Sequence, residues 1–155
     1  MKRSHLRPRA LATVKLGARR RWTVYGVALG VWATGALWLA FHNVLKRNTP
    51  FGQEPNPLEP WWLKLHGAFA FASVWLFGLL WAAHILGGWS SHRRRWSGGV
   101  LFALFGVLIA SGYLLYYVGD DSLRTTISLA HWIIGLAAPA PFLWHRFAPV
   151  QQSKG

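Results

Sequence analysis

There is no cysteine in the 155 residues of this chain, which removes disulfides, thiolate metal sites, iron–sulfur clusters and the C-x-x-C-H attachment of c-type haem. Any haem would be held non-covalently, through histidine. Negative charge is also scarce: Glu54, Glu59, Asp120 and Asp121 are the only acidic residues, against 17 lysines and arginines. Charged residues make up 14% of the chain and apolar ones 53%, too apolar a balance for an ordinary soluble domain. Ser-His-Asp, Walker and metalloprotease patterns are missing as well, so the chain does not read as a self-contained enzyme.

The formal net charge of +13 would suit a nucleic-acid partner, because a basic face neutralises phosphates. The positions of the charges decide against it. Lys2, Arg3, Arg7, Arg9, Lys15, Arg19, Arg20 and Arg21 crowd the first 21 residues, and the other basic residues lie in short segments between long apolar runs. That is the pattern of a membrane protein obeying the positive-inside rule, with lipid rather than nucleic acid around it.

A helix crosses a hydrocarbon core of about 30 Å with about 20 apolar residues. Four stretches qualify, at about residues 22–44, 63–89, 98–118 and 125–147, and none has a charged residue in its central part. They define a transmembrane domain over 22–147, between a basic tail, 1–21, and a short tail, 148–155. The connections are short enough to make consecutive helices antiparallel neighbours. Pro50, Pro55, Pro57 and Pro60 mark the first of them as non-helical. Trp38-Leu39-Ala40 could be taken for the end of a signal peptide, but the apolar run and the basic segment before it are long, so a retained anchor is expected. With the amino terminus inside, thirteen basic residues and no acidic one face the cytoplasm, while Lys46, Arg47, Lys64 and Arg124 share the outer face with all four carboxylates. The expected fold is all-α: an integral membrane four-helix up-down-up-down bundle with both termini cytoplasmic. Trp and Tyr residues near the span ends fit an interfacial aromatic belt.

Seven histidines occur. His5 and His92 lie in basic segments outside the spans. His66 and His84, 18 residues apart on the second span, return to one helix face roughly 27 Å apart. On the fourth span His131 and His145 are 14 apart, within about 40° of one face and roughly 21 Å apart. Because the second and fourth spans run the same way, His66 meets His131 near the outer surface and His84 meets His145 near the inner one. Two facing imidazoles are what a bis-histidine haem requires, so the pairs offer two haem sites stacked across the membrane.

Small residues beside these stripes, Ala70 and Ser73 on the second span and Gly135 and Ala138 on the fourth, leave room for a porphyrin, although membrane helices use the same residues to pack. Taken singly, a histidine near a span end also reads as an interhelical hydrogen-bonding group. Zinc is a poorer match, because a structural site wants four clustered ligands. His42, at the outer end of the first span, is a second-choice outer ligand. The spacings of 18 and 14 differ by about 6 Å of helical rise, which tilt, imidazole reach or a bend at Pro139 and Pro141 must absorb.

Five segments carry a resemblance: Trp62-Leu63-Lys64-Leu65-His66-Gly67, Trp81-Ala82-Ala83-His84, Ser111-Gly112-Tyr113-Leu114-Leu115-Tyr116-Tyr117, Ala130-His131-Trp132-Ile133-Ile134-Gly135-Leu136 and Trp144-His145. Over about residues 58–147 the chain resembles the small four-helix bacterial b-type cytochromes, the cytochrome b561-like group among them. The resemblance implies two b haems, electron transfer across the bacterial inner membrane, and exchange with quinol, quinone, a periplasmic cytochrome or an oxidoreductase subunit. Histidine spacings in such proteins are more often about 13 or 14, so the 18 of the second span is a departure that bears on the outer pair. His42, Glu59, Asp120 and Asp121 lie at the depth of a quinol proton acceptor, and the Pro50–Pro60 loop and the Asp120–Arg124 turn are available for docking. The reading from another class is a haem-free membrane anchor or scaffold subunit. A transporter lacks an intramembrane carboxylate or lysine to carry its ion.

Overall fold

The computed structural model describes residues 17–90 and 95–147. Most of the basic tail, His5, His92, Arg93, Arg94 and Lys154 lie outside the described residues. The chain forms α1 (Ala18–Asn43), a hairpin of β1 (Arg47–Thr49) and β2 (Gly52–Glu54), α2 (Glu59–Leu80), a π-helical segment (Trp81–Leu86), α3 (Gly87–Ser90), α4 (Arg95–Tyr117), α5 (Asp121–Ala137) and α6 (Pro139–Phe147). Four helices, of 26, 22, 23 and, with α5 and α6 taken together, 27 residues, are long and apolar enough to cross a membrane.

Local chemistry sets the ends of these helices. Pro60 sits in the first turn of α2, where no backbone N–H is needed, and Glu59 beside it places negative charge at the positive end of the helix dipole. The second span therefore begins at Glu59, earlier than its apolar run. Asp120 caps α5 by accepting the Leu123 N–H at 2.8 Å. The Pro-rich connection holds a small hairpin that hydropathy did not foresee. Its strands pair Arg47 with Glu54 and Thr49 with Gly52 around Pro50 and Phe51, and Gly52 has φ +118, a conformation suited to glycine.

Packing faces follow the helical period. Along α4, Ser97, Leu101, Phe105, Leu108, Ser111 and Gly112 are buried or half-buried, while Phe102, Val107 and Leu114 are exposed. Exposed apolar side chains cover the outside, Phe71 at 80% and Trp75 at 63% among them, and no apolar residue among the described ones is fully buried. Among the described residues the buried polar ones are Thr34 and Ser97. This inverts the soluble pattern and suits a lipid solvent.

α1 and α2 approach closely and run in opposite directions. Gly30 packs against the Phe69 ring, Gly35 against His66, and His42 against Glu59, so position falls along one helix as it rises along the other. α4 meets α5 and α6 in the same sense, Ser111 against His131 and Ser97 against His145. The two halves are joined by the Trp32 indole N–H donating to the Leu136 carbonyl at 3.3 Å and the Arg146 Nε–H donating to the Tyr25 hydroxyl at 2.7 Å. Between α2 and α4, Phe77 stacks on Phe105 with ring centroids 4.8 Å apart and lies 5.5 Å from Phe102.

Two departures from regular α-helix lie toward the end of the bundle that holds His84 and His145. The π-helical segment around His84 is wider than an α-helix, so its residues advance less along the axis. At the α5–α6 break, Pro139 and Pro141 lack N–H groups, and the Ala138 N–H bonds to Gly135, three residues back, in the tighter and more extended 3₁₀ manner. One departure shortens the 18-residue spacing and the other lengthens the 14-residue one, so both reduce the expected mismatch of about 6 Å.

A Cβ at position 30 collides with the Phe69 ring. Gly30→Val is expected to cost about 1–3 kcal/mol by overpacking, read as a lower thermal midpoint in detergent; an unchanged midpoint would mean that α1 and α2 do not pack this closely. Asp120 titrates below the usual carboxylate range, chiefly because its carboxylate accepts the Leu123 N–H and also the Ser122 hydroxyl. A lowered folded-state value contributes stability that is present above the ordinary aspartate pKa of about 4 and lost as pH falls through the lowered one. The acid limb of a pH–stability profile should therefore flatten slightly in Asp120→Asn, which keeps a capping oxygen but cannot titrate.

Candidate functional site

The pair of His66 and His131 is built by all four long helices. His66 projects from α2 toward α1, where its Nδ1 lies 2.9 Å from the Val31 carbonyl oxygen. A carbonyl only accepts, so the proton is on Nδ1. Gly35, one turn further along α1, makes the approach possible, because a Cβ there would lie 2.9 Å from His66 Cε1. His131 on α5 is held in the same way by α4. Its Nδ1 lies 2.8 Å from Ser111 Oγ, and a Cβ at Gly112 would lie 3.4 Å from its Cε1. The Ser111 hydroxyl spends its own proton on the Val107 carbonyl at 2.7 Å, which leaves its lone pairs to accept from His131. Both imidazoles thus keep Nδ1 protonated and carry a lone pair on Nε2, the form in which histidine binds a metal.

The rings of His66 and His131 have centroids 6.3 Å apart and planes at 90°. Toward the other end of the bundle His84, in the π-helical segment, faces His145 of α6 at 6.1 Å and 87°. His145 Nδ1 lies 3.1 Å from Ser97 Oγ, and a Cβ at Gly98 would lie 3.5 Å from His145 Cε1. His145 therefore meets a Ser-Gly pair of α4, as His131 does.

Such separations have a chemical meaning. Two imidazoles on opposite sides of one metal ion, each at a metal–nitrogen distance of about 2 Å, place their ring centres about 6 Å apart. Among the described residues no three His, Asp or Glu side chains converge, so a tetrahedral protein-only site is not formed. Two axial nitrogens suit a metal whose other ligands come from a macrocycle. Trp62 Nε1, one turn before His66 on α2, is buried and has no partner among the described residues. It is a donor suited to an acidic group on such a ligand. The residues present fit a haem between His66 and His131, and His84 and His145 have nearly the same ring spacing.

Other residues singled out in the sequence fall elsewhere. His42 stacks on Trp38 at 4.9 Å, and its Nδ1 lies 2.7 Å from Glu59 Oε1, so it faces Glu59 and not His131. Asp120 and Asp121 occupy the cap and first turn of α5. Gly135 faces Leu108 of α4 at an ordinary contact distance, and Ala138 lies in the α5–α6 break. The Ala70 carbonyl accepts the Ser73 hydroxyl at 2.7 Å, a bond local to α2.

Sequence reasoning passed over Ser97, Gly35 and Gly98, and quoted Ser111 and Gly112 in the resemblance without giving them a contact to histidine. For the α4 residues a signal was present: Ser97-Gly98 and Ser111-Gly112 are 14 residues apart, the spacing of His131 and His145. No family model, curated protein or solved structure matches the chain.

Proposed function

We propose that this chain is a b-type cytochrome of a bacterial inner membrane, carrying electrons across the bilayer through two bis-histidine haems. The observation that supports it is the two facing imidazole pairs at the separation of axial ligands. His66 and His131 would hold the outer haem, and His84 and His145 the inner one. Haem, when bound, supplies reversible one-electron transfer. The chain orients His66, His131 and His145 through their Nδ1 contacts with neighbouring helices.

The antiparallel contacts and the thirteen-to-four division of basic residues favour an up-down-up-down bundle with cytoplasmic termini. The β-hairpin and the Asp120–Arg124 turn then face the periplasm, where a cytochrome or oxidoreductase subunit can dock. Quinol is the alternative donor. For it, His42 is oriented by Glu59 at 2.7 Å and stacked on Trp38, in a position to accept a proton at the outer surface.

Purified with ample haem, the protein should give a reduced-minus-oxidised spectrum with b-type bands; their absence would leave the haem-free scaffold reading. Near-perpendicular rings would donate π density into two different orbitals of a bound iron, so the haem-loaded ferric form should give a strongly anisotropic low-spin paramagnetic resonance signal. His84→Ala or His145→Ala should each remove one haem, and His66→Ala the other, while His42→Ala retains both. Loss of outer haem in His42→Ala with retention in His66→Ala would reverse the ligand assignment. Because the chain has no cysteine, topology can be read by labelling. A membrane-impermeant maleimide applied from the periplasmic side should modify Gln53→Cys and spare Ser153→Cys; the opposite pattern would refute the orientation.

A further inference from the structure

The Ser-Gly pairs of α4 repeat with the period of the histidines they face. Ser97 and Ser111 are 14 residues apart, as are His145 and His131, and the serine-to-imidazole distances are 3.1 and 2.8 Å. Fourteen residues advance an α-helix by about 21 Å and leave it about 40° short of a whole number of turns. The two stretches run antiparallel and differ only by the small extension at the α5–α6 break, so the contact made at one end is made again at the other.

We propose that Ser97-Gly98 and Ser111-Gly112 are a duplicated ligand-positioning device that sets the tautomer of each fourth-span axial histidine and the redox potential of the haem it holds. It rests on the haem reading above. Each half has two parts. The glycine provides the space into which the imidazole edge fits, since a Cβ at Gly112 or Gly98 would lie 3.4 or 3.5 Å from Cε1. The serine oxygen supplies the hydrogen bond. At the outer end its role is chemically defined, because the Ser111 proton is directed to the Val107 carbonyl at 2.7 Å and the oxygen is left as an acceptor. His131 then keeps its proton on Nδ1 and offers Nε2 to iron. An imidazole that donates to an acceptor is a stronger electron donor to its metal, and stronger donation favours ferric over ferrous iron. Ser97 occupies the corresponding place at the inner end and is 3% exposed, sheltered from competing water.

The test pairs Ser111→Ala with Ser111→Thr, and Ser97→Ala with Ser97→Thr, in the haem-loaded protein. Ser111→Ala is expected to raise the outer midpoint potential, by about 59 mV for each tenfold loss of ferric preference, and to leave the inner one unchanged. It should also weaken outer haem retention roughly tenfold. Ser97→Ala should do the same to the inner haem, and each threonine variant should restore the wild-type potential. Potentials unmoved by either alanine variant, with both haems bound, would overturn the proposal while leaving the cytochrome reading intact. The tautomer can be read without haem, from two-bond nitrogen–proton spectra of the apo chain with the His131 signals assigned by their loss in His131→Gln. A proton on Nδ1 supports the device even if wild-type protein binds no haem and the cytochrome reading fails, whereas a proton on Nε2 refutes it.

Discussion

Much of this structure depends on one interaction, the hydrogen bond from an imidazole Nδ1–H to an acceptor on the adjacent helix. In a lipid-surrounded bundle an unpaired polar group has no water to turn to, so a histidine inside a span must find its partner in the protein. His66 finds the Val31 carbonyl of α1 and His131 the Ser111 hydroxyl of α4. Each bond requires the helices to be close, and closeness requires glycine where the ring arrives, at Gly35 and Gly112. Satisfying the polar group therefore also fixes the lateral position of the helix that carries it.

The same bonds connect packing to chemistry. By holding the proton on Nδ1 they leave Nε2 as the free lone pair, and they set two imidazoles from different helix pairs 6.3 Å apart. Apolar residues separate the two histidine pairs along the bundle, with Phe77 of α2 against Phe102 and Phe105 of α4. The helices adapt to the pairs. A π-helical segment at His84 and a proline break before His145 narrow the difference between the unequal spacings, each by changing the rise per residue in the direction needed.

The four long helices were legible because crossing a membrane demands a long apolar run, and that demand is written residue by residue. Depth was legible for the same reason: rise per residue and alternating direction place His66 with His131 and His84 with His145 at matched levels. The hairpin escaped notice because it rests on Thr49, Pro50 and Gly52 in a connection that hydropathy marks only as a loop. That Gly135 faces Leu108 of α4 is a lateral contact that spacing along one helix does not specify.

What the sequence determined by itself was the set of membrane-length helices, the distribution of charge and the axial levels of the histidines, since all three are one-dimensional properties of the chain. The tertiary structure decided which of His42 and His66 faces His131, which atoms accept from the imidazoles, and how a spacing of 18 is reconciled with one of 14. Those outcomes depend on lateral neighbours. His42 turns to Glu59 and His66 to Val31 because helices α1 and α2 pack in one rotation and not another, and rotation is settled only when every polar group and every close glycine contact is satisfied together.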